Sequence, residues 1–376
     1  MFYLAGVGLA LFLTLLLFSK RHKSVADKIL GCWLMVVTFH LLLFYLFKAE
    51  LYPGLLGLNV PLPLLHGPFL YWYTRALTNR QVKHSQMLIH FILPVAEYVY
   101  MIPFLLLPAE QKLIVFRNNG QGYEAFNVFN NIAIAASGVW YVILSSVALR
   151  KHRQSIVLEF SSTEKINLQW LQYLIYWLGT IWIFVIIGND VLVFGAAVLF
   201  VSFIGFFGIR QVGIFHSYEL RPAAQQLSAD SMSTIESKNE IADEIIAKKK
   251  YHKSGLSVED SEILQRQLAL LMHDEKLFCN SELSLADLAS RLNSLPNHLS
   301  QVINEREGKN FYDYINTLRI EEFKRLATSP DSRKYTLMAL AEASGFNSKS
   351  SFNRYFKKIS GQSPSEYLQS VSPPQK

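Results

Sequence analysis

Two cysteines, Cys32 and Cys279, are all that the 376-residue chain contains. They lie far apart and form no CxxC, so neither a disulfide framework nor a cysteine zinc site is indicated. The signatures of hydrolytic and metal-dependent chemistry are also missing. There is no HExxH, no GxSxG, and no His/Asp/Glu cluster at metal-ligand spacing. No catalytic residue, metal or cofactor follows, and the sequence does not read as an enzyme. Charge is scarce as well, at 17% of residues, while 51% are hydrophobic. With a mean hydropathy of +0.20, the chain is too apolar for an ordinary soluble protein and long enough for more than one domain. The net charge of +7 is modest for this length. What matters is where the cations fall.

The apolar residues are concentrated in the first 210 positions. Residues 1–18 are apolar almost throughout and are followed at once by Lys20, Arg21, His22 and Lys23. A cleavable signal peptide carries its cations before the apolar run. The reverse order predicts a retained helix with its N-terminus outside. Further apolar runs lie at about 29–47, 61–78, 88–107, 128–149, 168–187 and 191–209. Each is near the ~20 residues that cross a hydrocarbon core, which gives about seven spans. The loops at 19–28, 74–87 and 150–167 hold about eleven Lys and Arg, against Lys48, Lys112 and Arg117 in the opposite loops. That asymmetry places the C-terminal half in the cytoplasm.

Ionisable groups within such spans are costly to bury and are candidate ligand or proton sites. Glu97 falls near the middle of the fourth span, and His40 and His66 lie in or near others, with His90 beside them. These residues form a candidate sensing set, and polar groups that only hold helices together are the plainer reading. Asn127, Asn130 and Asn131 open the fifth span, and Asn189-Asp190 caps the turn between the sixth and seventh. His66-Gly67-Pro68 marks a bend. Transporter-like paired broken helices are not evident.

Residues 211–256 lose the apolar density. From Arg221 to Lys250 they are rich in Ala, Ser, Gln, Glu and Lys, the composition of a linker. Ser233 and Glu236 have capping-box spacing, Ile241, Ile245 and Ile246 form a short stripe, and Lys248 to Lys250 with Lys253 make a basic cluster. That cluster suits lipid headgroups, DNA phosphates or simply water.

Beyond Ser257 the period of apolar residues is helical. Leu264, Leu268 and Leu271 predict a first helix; Leu285, Leu288, Ala289 and Leu292 a second, capped by Ser284. A third begins at Pro296, with Leu299, Val302 and Ile303 inward and Asn297, Ser300, Gln301 and Asn304 outward. Phe311, Tyr314, Ile315 and Leu318 start a helix reaching about Ala327. Leu337, Leu340, Ala341 and Ser344 define another, which ends at Gly345, a residue tolerant of φ > 0. The next helix, capped by Ser348, buries Phe352, Phe356 and Ile359. It presents Ser350, Asn353, Arg354 and Lys357 on its other face, with Lys349 and Lys358 at its ends. Helix, glycine turn and a Ser/Asn/Arg/Lys-faced helix describe a helix-turn-helix.

Several of these positions together resemble the AraC/XylS-type DNA-binding domain: Ala341 with Gly345-Phe346, then Phe352, Arg354 and Phe356-Lys357-Lys358, and finally Gly361, Ser363-Pro364 and Tyr367. The likeness covers roughly the last 110 residues. Leu368 departs from it where the family usually has Arg, and Asn293-Ser294-Leu295 departs in the first turn, where a small residue, an apolar one and a Ser cap are usual. Asn tolerates the left-handed conformation that this turn requires. The resemblance implies two helix-turn-helix units and contact positions on Asn297, Ser300 and Gln301. In the second unit Arg354 suits guanine, Asn353 adenine, and Lys349 and Lys357 phosphate, with Ser350 beside them.

The expected chain is all-α: a polytopic membrane bundle over 1–210, a connector over 211–256, and an AraC-type domain over 257–376. The expected partners are double-stranded promoter DNA, the lipid bilayer, a second copy of the chain, and an unidentified small-molecule or membrane stimulus. The expected location is a bacterial inner membrane. The rival reading is a membrane protein whose helix-turn-helix module binds protein rather than DNA.

Overall fold

The computed structural model describes residues 2–78, 84–164, 166–188, 190–219 and 256–371. The features anticipated over 220–255, including the Ile241 stripe and the Lys248 cluster, lie outside the described residues, as do Asn189, Arg80 and Lys83. Every described element is helical apart from one isolated β-bridge. The chain divides into two compact units: Met1–His152 with Leu168–Tyr218, and Arg153–Asn167 with Glu219–Lys376.

The first unit contains α1 (Phe2–Ser19), α2 (Val25–Lys48), α3 (Pro63–Leu77), α4 (His84–Leu88), α5 (Ile92–Leu105), α6 (Ala109–Arg117), α7 (Glu124–Glu159, which runs on into the second unit), α8 (Gln169–Ile187) and α9 (Asp190–Glu219). A 3₁₀ turn, Ile89–Phe91, joins α4 to α5. Helix α2 starts at a reciprocal capping box, in which Ser24 and Asp27 satisfy each other's backbone amides. Lys20 Nζ lies 2.6 Å from the buried Asp27 carboxylate. Pro63 occupies the first turn of α3, where its missing N–H costs nothing.

Five helical segments are long and apolar enough to cross a membrane: α2, Ser85–Leu105, α7, α8 and Val191–Gly208 within α9. All seven expected runs form helices, but α1 and the 15-residue α3 fall short of that length criterion. A tightly packed core holds Trp33, Leu70, Tyr73, Leu174 and Ile204. The outside is apolar too: Val99 is 60% exposed and Ile132 63%. Helices apolar inside and out fit a hydrocarbon surrounding rather than water.

In the second unit follow α10 (Val258–Asp274), α11 (Leu285–Arg291), α12 (Pro296–Glu307), α13 (Phe311–Ala327), α14 (Leu337–Ala343), α15 (Lys349–Ser360) and α16 (Pro364–Val371). Ser257, Ser284, Asn310, Thr336 and Ser348 each accept a first-turn amide, which explains why the helices begin where they do. There are two cores. Leu268, Leu288, Val302, Phe311 and Ile315 belong to one; Ile320, Phe323, Ala341, Phe352 and Phe356 to the other. Helix α13 contributes its first half to one core and its second half to the other.

Gly345 ends α14 at φ +102, and a Cβ there would lie 2.5 Å from the Phe278 carbonyl oxygen and 2.9 Å from Cys279 Cα. Both obstacles are backbone and cannot step aside. Gly345→Ala is therefore expected to cost about 1–3 kcal/mol or more from the strained conformation alone, read as a lowered unfolding midpoint of the C-terminal unit in the full chain.

Glu322 on α13 accepts from Arg325 at 2.7 Å and from Lys276 at 3.0 Å. Arg325 first, then Lys276, hold its carboxyl down to about 2, below the ordinary 4.5. A depressed carboxylate contributes stability that is complete above the ordinary value and disappears as pH falls through the depressed one. The difference in thermal stability between the native chain and Glu322→Gln should thus be greatest near neutral pH and shrink between about 4.5 and 2.

Candidate nucleic-acid interface

Helix α15 is amphipathic. Phe352 and Phe356 are fully buried against Phe323, with ring centroids 4.7 and 5.4 Å away. Lys349, Ser350, Asn353, Arg354 and Lys357 are all exposed on the opposite side. The structure therefore gathers these five expected contact residues onto one face. Ser348 caps the helix by accepting from Ser351 N, and Gly361 ends it at φ +75.

The inner face differs in detail from expectation. Ile359 is 38% exposed, and Tyr355 is buried in its stead, donating to the Asp313 carbonyl at 2.9 Å. Lys358 pairs with the Asp313 carboxylate at 2.8 Å, which fixes that end of α15 to α13. Burial first, with Asp313 adding to it, raises the Tyr355 hydroxyl well above its ordinary range, so it remains a neutral donor. Arg354 Nη2 lies 3.4 Å from Ser351 Oγ and 3.5 Å from Tyr312 Oη, contacts long enough to yield to a better acceptor.

Helix α12, expected to be the first recognition helix, is less complete. Asn293 takes the left-handed conformation at φ +48, as an asparagine can, and Pro296 enters the first turn. Leu295 occupies the cap position and contributes no side-chain hydrogen bond. Asn297 is exposed, and Ser300 is half-buried with its hydroxyl 3.4 Å from Asn304 Nδ2. Gln301 does not point outward as expected. It is buried, and its Nε2 donates to Glu305 at 3.1 Å. The helical period alone puts it one step from Val302, and the core closes over it.

No motif or periodicity marks Phe160–Glu164 as belonging here. Ser161 Oγ donates to the Leu283 carbonyl at 2.6 Å, and Phe160 forms an antiparallel bridge with Ser284. Arg319, 1% exposed, donates to the Ser161 carbonyl at 2.9 Å and to Phe278 O at 2.7 Å. Burial draws this guanidinium down to about 10, with Glu164 the leading opposing charge. It remains charged at neutral pH.

In the first unit, His40 and His66 are brought together. Their rings stack with centroids 5.3 Å apart, and His40 Nδ1 lies 3.0 Å from His66 Nε2. Trp33 Nε1 donates to His66 Nδ1 at 3.1 Å. An indole N–H can only donate, so His66 Nδ1 is bare, its Nε2 carries the proton, and that proton is given to His40. Glu97 does not join this chain. It is 3% exposed, and neither carboxyl oxygen has a hydrogen-bond partner among the described residues. His90 instead meets Tyr141 Oη at 3.0 Å. Among the described residues no group of three or more His, Cys, Asp or Glu is arranged to hold a metal.

Residues 288–370 match the family model described as a helix-turn-helix domain. An uncharacterized HTH-type transcriptional regulator of Staphylococcus aureus (strain COL) is 35% identical over 92 residues, 24% of this chain and 12% of that protein. The uncharacterized HTH-type transcriptional regulator YobQ of Bacillus subtilis (strain 168) is 36% identical over 85 residues, 23% of this chain and 34% of that protein. The chain thus spans well under two thirds of the length of these relatives. No solved structure matches it. Residues 288–370 thus carry a helix-turn-helix domain of the AraC type.

Replacing Trp33 by Phe would remove the indole donor that, among the described residues, fixes the His66 tautomer. Histidine ¹⁵N shifts of the chain in lipid nanodiscs should report a single His66 tautomer in the native protein and a mixture in Trp33→Phe.

Proposed function

We propose that the protein is a DNA-binding transcription regulator tied to a membrane, in which residues 1–210 form a sensing bundle, 211–256 a connector, and 257–376 the promoter-binding domain. The observation that carries the reading is the outer face of α15. Five polar or cationic residues are exposed together over a helix whose inner face is locked by Phe352 and Phe356. Such a helix fits a major groove, where Arg354 pairs with guanine, Asn353 with adenine, and Lys349 and Lys357 with phosphates. Helix α13 is 17 residues long, roughly 25 Å at 1.5 Å per residue. That length suits two recognition helices entering successive grooves on one face of the duplex, which reads an extended, asymmetric site. The role of α12 rests on Asn297 and Ser300.

Five helices of spanning length and the loop-charge asymmetry support a bacterial inner-membrane location, with the N-terminus outside and the DNA-binding domain in the cytoplasm. The His40–His66–Trp33 chain and Glu97, which has no hydrogen-bond partner among the described residues, are the residues through which a small-molecule or membrane stimulus is sensed. Signalling requires the stimulus to favour one arrangement of helices over another, and a pair of chains is the unit whose spacing that arrangement sets.

Arg354→Ala should cost about 1–3 kcal/mol of specific DNA binding and relax base preference, while Lys357→Ala should weaken all sequences alike and flatten the salt dependence. Genome-wide crosslinking of the tagged full-length protein checks this. Discrete peaks sharing one extended motif, lost in Arg354→Ala, are expected. No enrichment over a membrane-protein control would favour a protein partner for the module.

A further inference from the structure

Phe160–Glu164 connects α7 towards α8 in sequence, yet it clusters with the DNA-binding unit. At its near end, Ser161 donates to the Leu283 carbonyl through both N (3.2 Å) and Oγ (2.6 Å), and its own carbonyl accepts from Arg319 (2.9 Å) and Asn316 (3.2 Å). At its far end, Ser162 Oγ donates to Asn347 Oδ1 at 3.1 Å, and Ser351 Oγ donates to the Glu164 carboxylate. Asn347 precedes α15, and Ser351 stands in its first turn. An anionic side chain is thus seated at the amino end of the second recognition helix.

We infer that this segment is a built-in competitor of DNA, with Glu164 occupying the place a backbone phosphate takes at α15. The inference rests on the DNA-binding reading above. A helix amino terminus carries partial positive charge and free amides, the chemistry that takes phosphate oxygens. A carboxylate held beside that terminus by the Ser351 hydroxyl places negative charge there and repels the incoming phosphate. The segment also reaches the base-reading side chain: Ser351 Oγ, which donates to Glu164, is 3.4 Å from Arg354 Nη2. Seated, the segment engages the Ser351 hydroxyl that Arg354 also approaches. Withdrawn, it frees the helix terminus and that hydroxyl together. Because the segment is covalently continuous with α7, a helix of the first unit over most of its length, a shift of that helix pulls directly on the competitor. Two seatings with different DNA affinity are what a switch requires.

The test uses the full chain in lipid nanodiscs, with Cys32 and Cys279 replaced by Ser. Phe160→Cys and Ser284→Cys then pair the two residues of the antiparallel bridge, whose ~4.5 Å Cα separation for this bridge type suits a disulfide. Binding to a fluorescein-labelled duplex pool of random sequence is measured by anisotropy before and after reduction. The oxidised form is expected to bind about tenfold or more weakly than the same sample reduced. Glu164→Gln, which disturbs no helix cap, is expected to bind roughly 2–5-fold more tightly than the native chain. Equal binding by oxidised and reduced forms would overturn the inference, as would failure of the disulfide to form, or Glu164→Gln binding no tighter. If the disulfide forms but no form of the chain binds duplex at all, it is the DNA-binding reading that falls, and the competitor with it.

Discussion

A guanidinium withdrawn from water must find an acceptor for each of its five N–H groups, and Arg319 finds all five. Nε donates to Phe278 O, Nη1 to Ser161 O and Asn316 Oδ1, and Nη2 to Ser161 Oγ and Asn280 O. These acceptors come from three separate stretches of chain, so one cation fixes the 278–280 turn, the middle of α13 and the 160–164 segment at once. Gly345 adds to this junction: its missing side chain leaves room for the Phe278 carbonyl and for Arg319 Nε at 2.9 Å. Charged hydrogen bonds in a dry setting are individually strong, and losing any acceptor would leave a buried donor unsatisfied. The geometry of the DNA-binding unit converges on this residue, which lies between Ile315 of one core and Ile320 of the other.

Most of that unit was legible in the sequence because its information is local. Caps at Ser257, Ser284 and Ser348, the proline at 296, the glycine at 345 and the apolar period set element boundaries within a turn or so. The outward face of α15 followed from the same period. Where the reading missed, the cause was tertiary. Gln301 and Ile359 sit at the edges of their apolar stripes, where a neighbouring element decides burial. Tyr355 is buried because Asp313, 42 positions away, offers it an acceptor. The contacts of Ser161 and Glu164 span 122 to 187 positions, and no periodicity connects residues so far apart.

The apolar half divides along the same line. Long hydrophobic runs announced its helices, although α1 and α3 are shorter than a typical span. His40 and His66 were visible as costly groups in apolar surroundings. Their pairing through facing positions of α2 and α3 was not, since helix packing brings together residues 26 positions apart. Trp33, an apparently ordinary aromatic, turns out to set the hydrogen-bond polarity of the pair. Glu97 was picked out on the same grounds, yet its carboxyl oxygens have no hydrogen-bond partner among the described residues.

Because α13 gives Phe311 and Ile315 to one core and Ile320 and Phe323 to the other, the two helix-turn-helix units are not separable modules. A protease cut between 328 and 336 would leave the second unit without half of its apolar wall, while the first would keep a helix with a greasy, uncovered end. Neither fragment could bury enough surface to offset its chain entropy. The pair should therefore melt as one cooperative block, and natural variation in one unit is constrained by residues of the other.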